Sequence, residues 1–351
     1  MLLRMLVTLL IGSTGGLLFS LIHSPLPWLL GALVATVICV FLGYDKLWVP
    51  RWLRNTGLVV VGISLGLRMT PAIVETMASH IGLMLLATLI TLLFGLINTL
   101  ILHKAGKVDM ITAFFSNVPG GLSEMLSVGE KVGGNQQIIS IFHSIRIVVI
   151  VLCTPFLVTW LNTHPLSSAA VVQNAEMGAM PTVMMLLLGG LAAIAAVKIS
   201  FPSPYLLGPL FLTAVLCVQT TVLPESHALP GFLVQMAQVF IGVSTGLQFS
   251  REDIRKNRRL FGFALVHAFM LLGMSMGLAL SISYLTSTDV ITNILATSPG
   301  GITEMGLMAL TVGADPLLVT AFQLFRVLFI LFVVSSGIRA WLKRFRKEEF
   351  S

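Results

Sequence analysis

Pro119-Gly120-Gly121-Leu122-Ser123-Glu124-Met125 and Pro299-Gly300-Gly301-Ile302-Thr303-Glu304-Met305 decide the reading of this chain. The two stretches, PGGLSEM and PGGITEM, lie 180 positions apart in very apolar surroundings. Proline lacks a backbone N–H and glycine accepts sharp backbone turns, so each stretch breaks a helix. A helix break at corresponding places in two hydrophobic halves points to a transporter binding site near the bilayer midplane.

The correspondence extends outward. At the same offset, Asp109, Ile111 and Thr112 match Asp289, Ile291 and Thr292; Val132 and Gly133 match Val312 and Gly313; Phe142 and Arg146 match Phe322 and Arg326. Upstream, Val61–Leu67 (VGISLGL) matches Ile241–Leu247 (IGVSTGL), which sets Gly62 and Gly66 opposite Gly242 and Gly246. Further upstream the offset falls to 177, where Pro25, Pro27, Leu29, Leu30, Gly31 and Leu33 match Pro202, Pro204, Leu206, Leu207, Gly208 and Leu210. Separated blocks in one order imply duplication of a whole half. Chance likeness of apolar segments would match leucines and valines; the matched residues are mostly Pro, Gly, Glu and Arg.

Of 351 residues, 56% are hydrophobic and 10% charged. Soluble domains are nearer a quarter charged, so a polytopic membrane protein is the class that fits. Cys39, Cys153 and Cys217 each lie in an apolar run without metal-type or paired spacing, and read as small packing residues. Residues 1–20 imitate a signal peptide but lead directly into another apolar segment, so a retained first span is expected.

Ten apolar segments of spanning length are expected, at about 4–22, 27–43, 54–70, 80–102 and 136–161, then about 180–198, 204–222, 232–249, 260–286 and 316–341. The broken segments, about 109–133 and 289–314, fall between the fourth and fifth span of each half. If they do not cross, Lys46, Arg51, Arg54, Lys104, Lys107, Lys198, the Arg251–Arg259 cluster and the basic tail share one side, and Arg68 alone faces the other. The positive-inside rule favours that arrangement. The expected fold class is therefore an all-α polytopic membrane protein of two inverted-topology repeats. Each has five transmembrane helices and one re-entrant segment, with both termini cytoplasmic. The expected organisation is a first repeat at 1–161, an extracytoplasmic linker at 162–179, a second repeat at 180–341 and a basic cytoplasmic tail at 342–351. The first re-entrant segment dips from the cytoplasm and the second from outside.

After each turn a second short helix should begin, at Leu122 and Ile302, with free N–H groups and the positive dipole end at the tip. An anion is favoured there. Ser116, Asn117, Pro119, Gly120, Gly121 and Ser123 of one tip, and Thr297, Ser298, Pro299, Gly300, Gly301 and Thr303 of the other, are the expected substrate-binding groups. Arg146 and Arg326, near mid-bilayer, could bind a substrate carboxylate or a re-entrant Glu. Glu124 and Glu304 could couple an ion; alternatively they complement helix dipoles and pair with Arg326 or Arg146. His143 lies one turn before Arg146, but its counterpart is Gln323, so a symmetric His site is excluded and a satisfied core histidine is expected. His23, His80, His103, His164, His227 and His267 are scattered over helix ends and loops. The four matched glycines suit close helix packing, or break the third and eighth spans. Trp28 and Tyr205, at matched positions, suit interface anchors. The Arg251–Arg259 run and the tail suit anionic lipid.

On these residues the chain resembles the bacterial AbrB-type membrane protein family, a duplicated inner-membrane family. The carrying pattern is P-x-L-L-G, then G-x-x-x-G, then V-P-G-G or S-P-G-G, then a central Arg in the following span. The resemblance covers nearly the whole chain. Members carry ammonia monooxygenase and AbrB-family transcriptional regulator labels; the latter name is shared with a soluble DNA-binding regulator that this chain does not resemble. More remotely, the layout is similar to inverted-repeat carriers with paired re-entrant loops. That implies a mobile core domain and a scaffold domain, and leaves a homodimer open.

Three functions compete. A secondary transporter of a small organic anion or amino acid, coupled to H⁺ or Na⁺, accounts for the duplication, the tips and the midplane charges. A monooxygenase needs clustered His or carboxylate ligands, and no two histidines lie at helical spacing, so no enzyme activity, cofactor or metal is expected. A membrane-embedded regulator acting on gene expression without transport is the third. The short basic tail is no DNA-binding domain, and no nucleic-acid partner is expected; the expected partners are a small-molecule substrate and membrane lipid.

Overall fold

The structure, a computed structural model, describes residues 1–22, 24, 26–44, 46–67, 79–120, 122–161, 175–199, 201, 203–219, 227–249, 251–286 and 288–334. Apart from turns and connecting segments, these residues are helical, with one two-residue parallel bridge. The first half contains α1 (Leu2–Leu21), α2 (Pro27–Phe41), α3 (Arg51–Gly66), α4 (Ile81–Gly106), α5 (Met110–Asn117), α6 (Leu122–Lys131) and α7 (Gln136–Leu161). The second contains β1 (Ala175–Glu176), α8 (Ala179–Lys198), α9 (Pro204–Gln219), β2 (His227–Ala228), α10 (Gly231–Gly246), α11 (Arg251–Lys256), α12 (Arg258–Thr286), α13 (Val290–Thr297), α14 (Ile302–Val312) and α15 (Pro316–Phe329). A π-helical turn, Ile330–Val334, follows α15.

Five helices, α1, α4, α7, α8 and α12, are long and apolar enough to cross a membrane. The chain is thus an all-helical protein of membrane type. Its longest helices also expose large apolar side chains, among them Leu2, Leu6, Leu10 and Leu17 of α1 and Leu187 and Leu191 of α8. Soluble proteins seldom present such continuous apolar faces. The helices α2, α3 and α10 are shorter than the sequence suggested, at 15 or 16 residues, and α9 is described over 16, with residues 220–226 outside the described residues. That is about 24 Å of rise, against a hydrocarbon core of about 30 Å. Prolines set their starts: Pro27 and Pro204 occupy the first helical position, and Pro50 and Pro230 immediately precede α3 and α10. The expected third span reached position 70, whereas α3 stops at Gly66 and residues 68–78 lie outside the described residues.

Helix bounds recur at the sequence offsets. Leu2–Leu21 and Ala179–Lys198 are both 20 residues long and start 177 apart; Arg51–Gly66 and Gly231–Gly246, and Met110–Asn117 and Val290–Thr297, start 180 apart and are equal in length. Local devices recur with them. Leu26 and Ser203, just before the helix-starting prolines, both take the left-handed conformation, with φ of 50° and 44°. Gly133 and Gly313, which follow α6 and α14, have φ of 91° and 75°, a conformation glycine adopts without steric cost. Asp109 and Asp289 cap α5 and α13, accepting from the Thr112 and Thr292 amides at 2.8 and 2.7 Å. Asn135 and Asp315 do the same for α7 and α15.

The chain forms two compact units, and each draws on both halves. The first comprises Met1–Ala78, Leu152–Arg251 and Thr303–Leu318. In it α1 packs on α2 and α8 on α9; α3 packs on α9 and α2 on α10; α3 packs on α8 and α1 on α10; and α3 packs on α10. Every pairing therefore has its counterpart when the halves are exchanged. At the α3–α10 crossing a Cβ on Gly57 would meet Ala237 O at 3.0 Å, and Ala237 is the residue 180 positions after Gly57. Gly62 and Gly66 lie against the carbonyls of Leu206 and Leu210, and Gly242 and Gly246 against those of Leu29 and Leu33. The close-packing role expected of these glycines is therefore present in the first unit. The bridge pairs Ala175 with His227 and Glu176 with Ala228, and Glu176 Oε1 accepts the Gly231 amide at 2.9 Å at the start of α10.

The second unit comprises Ser79–Val151, Glu252–Ile302 and Val319–Ser351. Here α4 packs on α5, α12 on α13, and α4 on α12, while α6 follows α5 around a core of Phe115, Val118, Met125, Val128, Ile139 and Ile330.

Candidate functional site

Both Pro-Gly-Gly stretches separate two short helices, and the second helices begin at Leu122 and Ile302. The turns share one construction. The Gly120 amide donates to Val118 O, and the Gly300 amide to Ser298 O, both at 2.8 Å. Each closes a three-residue turn centred on the proline, whose fixed φ suits it. The preceding amides end the first helices: Val118 N donates to Phe114 O and Ser298 N to Ile294 O, both at 3.0 Å.

Each arginine is committed to the carbonyls where its short helix ends. Arg146 Nη1 donates to Val118 O at 3.3 Å and Nη2 to Gly120 O at 3.5 Å. Arg326 Nη1 donates to Thr297 O and Ser298 O, both at 3.2 Å. These carbonyls carry the negative end of the helix dipole, and a cation there is favourable. One helical turn earlier a neutral group completes each network. His143 Nε2 donates to Phe115 O at 2.8 Å, and His143 Nδ1 accepts from Arg146 Nη2 at 3.0 Å. The network assigns the Nε2–H tautomer. Gln323 Nε2 donates to Leu295 O and Ser298 O at 2.8 Å, and Gln323 Oε1 accepts from Arg326 Nη2. Phe115 and Leu295 are themselves matched positions, so His143 and Gln323 fill equivalent places with different chemistry. His143 is the satisfied core histidine that the sequence suggested.

The residues before the turns are buried. Ser116 Oγ donates to Thr112 O at 2.7 Å; Asn117 Nδ2 donates to Ala113 O at 2.9 Å, and Asn117 Oδ1 accepts from His267 Nδ1 at 2.9 Å. Thr297 Oγ1 donates to Asn293 O at 2.8 Å and Ser275 O at 3.1 Å. Ser298 Oγ is fully buried and has no partner among the described residues; the Nε–H groups of Arg146 and Arg326 share that condition. Pro119 and Pro299 are buried, while Gly120, Gly300 and Gly301 are half-buried. Gly121 and the side chains of Ser123 and Glu124 lie outside the described residues. Thr303 and Glu304 belong to the first unit. There Glu304 is buried in the first turn of α14. Among the described residues neither Arg146 nor Arg326 has a carboxylate partner.

Two groups stand out that sequence reasoning passed over. His267, counted among histidines of helix ends and loops, is instead buried in the interior of α12, where the expected span at about 260–286 already enclosed it. Asn98 of α4 is completely buried, with neither amide atom partnered among the described residues. A lone Asn in a long apolar run is the signal that could have found it.

A family model described as Transition state regulatory protein AbrB matches residues 28–342. The chain belongs to this AbrB family. It is 28% identical over 346 residues to "Uncharacterized protein YhjN" of Bacillus subtilis (strain 168), covering 92% of this chain and 88% of that protein. It is 28% identical over 317 residues to "Putative regulator AbrB" of Escherichia coli (strain K12), covering 89% of each.

Proposed function

We propose that this AbrB-family chain is a secondary transporter of a small organic anion or amino acid in the bacterial inner membrane, coupled to H⁺ or Na⁺ and without enzyme activity. The observation that carries the reading is the matched pair of broken helices, each clamped at its carbonyl end by a buried arginine 180 positions from the other. Recurrent helix bounds, recurrent caps and the exchange-symmetric packing of the first unit support two inverted repeats with ten spans and re-entrant Pro-Gly-Gly segments. The four shorter helices then cross with their flanking residues, or where the bilayer thins. The broken backbone is tolerated at membrane depth only where protein buries it or water lines it.

In this mechanism the substrate binds at Ser116–Gly121 and Thr297–Gly301, Glu124 or Glu304 couples the ion, and movement of the tips gives alternating access. Charge movement in proteoliposomes on a solid-supported membrane tests it. Amino acids and mono- and dicarboxylates would be applied with and without Na⁺ and pH gradients, and electroneutral cases followed by labelled uptake. Saturable transport should vanish in Gly121→Val and Gly301→Val while membrane insertion persists; normal transport in both variants removes the tips from the mechanism.

The name of the Escherichia coli relative, "Putative regulator AbrB", favours a second reading, a membrane regulator acting without transport. The tail through which such a regulator could engage a partner lies outside the described residues. Silence in both current and uptake, with a protein co-purifying through the tail, would favour it.

A further inference from the structure

We infer that Nε2 of His267 is a proton-binding site tied through Asn117 to the first Pro-Gly-Gly turn; this rests on the proposed carrier function and narrows its coupling ion to H⁺. His267 lies in the interior of α12 at 2% exposure. Its Nδ1 meets Asn117 Oδ1 at 2.9 Å, and Asn117 Nδ2 donates to Ala113 O at 2.9 Å. Asn117 Oδ1 therefore accepts, Nδ1 carries the hydrogen, and Nε2 presents a lone pair. That lone pair is buried and has no partner among the described residues. Buried polar atoms in that condition are rare and call for an explanation. His143, the other buried histidine among the described residues, has both nitrogens occupied. The His267 ring itself is held edge-to-face by Phe142 of α7 and Phe263 of α12, with ring centroids 5.7 and 6.4 Å away.

The second turn has no such tie. Under the 180-residue offset Asn117 corresponds to Thr297, Gly95 to Ser275 and His267 to Ala87. Each turn packs on the long helix of its own half at the matched place. A Cβ on Gly95 would meet Asn117 O at 3.2 Å, and Thr297 Oγ1 donates to Ser275 O at 3.1 Å. Asn117 adds a bond to the long helix of the other half, whereas Ala87 has no polar side chain to offer Thr297. The charged and titratable groups of the surrounding elements are engaged elsewhere. Arg259 of α12 lies over the Phe263 ring and donates to Ala105 O at 3.1 Å, and Arg258 starts that helix. On α4, His103 Nδ1 meets Val108 O, and Lys104 stands in the last turn. Asp109 and Asp289 cap α5 and α13, and Arg146 of α7 binds Val118 O and Gly120 O. The Glu124 side chain lies outside the described residues. One proton added to the Nε2 lone pair gives an imidazolium with a donor at each nitrogen. Nδ1–H keeps Asn117, while Nε2–H faces no acceptor among the described residues. A buried charge with an unpaired donor is strongly unfavourable. The two aromatic rings hold the imidazole, so the part that yields is the turn, whose backbone is broken at Pro119 and Gly120. Its movement lets water or a substrate anion reach Nε2. A proton there favours an anion at the turn, and the anion favours the proton to the same degree.

The test uses the full-length protein in proteoliposomes, with the three native cysteines replaced and Ser116→Cys placed beside Asn117. The rate of maleimide labelling would be followed from about pH 5 to 8, the range over which histidine titrates. At each pH it is divided by the rate in the same protein carrying His267→Asn, which keeps a neutral donor toward Asn117 but takes no proton. The division cancels the titration of the thiol itself. The ratio should rise by about 10-fold as pH falls, the effect of a one-unit difference in proton affinity between two arrangements of the turn. Asn117→Asp sets a carboxylate beside Nδ1–H and should move the midpoint of that rise up by about 1–3 pH units. A histidine that only packs would give neither effect. If His267→Asn fails to insert, the upward shift in Asn117→Asp, read against the parent, carries the test alone. Labelled uptake of amino acids and mono- and dicarboxylates, with and without a pH gradient, accompanies the labelling. A His267-dependent rise without uptake of any compound keeps the proton site and removes the carrier. Uptake indifferent to the pH gradient, with a flat ratio, keeps the carrier and overturns the proton site. A flat ratio with no shift in Asn117→Asp overturns the inference whatever the uptake shows.

Discussion

At the residue scale, His143 and Gln323 show what a matched position conserves. Both donate to a helix-end carbonyl at 2.8 Å and accept from the arginine three residues later. The requirement is one donor and one acceptor in fixed places, which neutral imidazole and carboxamide both supply. His143→Gln should therefore fold and unfold within about 1 kcal/mol of the parent, whereas His143→Leu, which strands Phe115 O and an Arg146 N–H, should lose about 1–3 kcal/mol. Thermal unfolding in detergent reads both; equal loss in the two variants would contradict the equivalence. This relation was only half legible. The offset aligned His143 with Gln323, and the differing residue types argued against a symmetric site. The shared hydrogen-bond pattern appears only once Phe115 O and Leu295 O are located.

At the element scale, the glycines divide by what surrounds them. A Cβ on Gly62 would run into Leu206 O, and one on Gly31 into Gly15 O, while Gly82, Gly190 and Gly273 have nothing within 4 Å. Gly31→Ala and Gly62→Ala should each lower stability by about 1–3 kcal/mol, the usual cost of overpacking. Gly82→Ala, Gly190→Ala and Gly273→Ala should be neutral or gain up to about 1 kcal/mol, from the helix propensity of alanine. Melting temperatures of the five variants check this, and losses of similar size in both groups would contradict the packing. Helix breaks and most helix bounds were legible, because Pro-Gly-Gly, Pro27, Pro204, Gly133 and Gly313 act locally. The caps by Asp109 and Asp289 were visible only as matched letters. The lengths of α2, α3 and α10 were overestimated because hydrophobicity continues past the point where backbone geometry ends the helix.

At the scale of the whole molecule, the offsets at which helix bounds recur were legible and the partition into compact units was not. Each compact unit takes segments from both halves, and no local signal in the sequence reports which helix packs on which. The arginines stand out in the sequence because charge in an apolar run is expensive, but their carbonyl partners come from residues 26 to 29 positions away. In the proposed carrier both broken helices are reached in turn from each face of the membrane. With Cys39, Cys153 and Cys217 replaced, single cysteines at Ser116 and Thr297 would be labelled with a membrane-impermeant maleimide applied to right-side-out and inside-out vesicles. The account predicts labelling of each position from both faces, with Gly301→Val restricting it to one. Labelling of each cysteine from a single fixed face under all gradients would contradict alternating access around the paired tips.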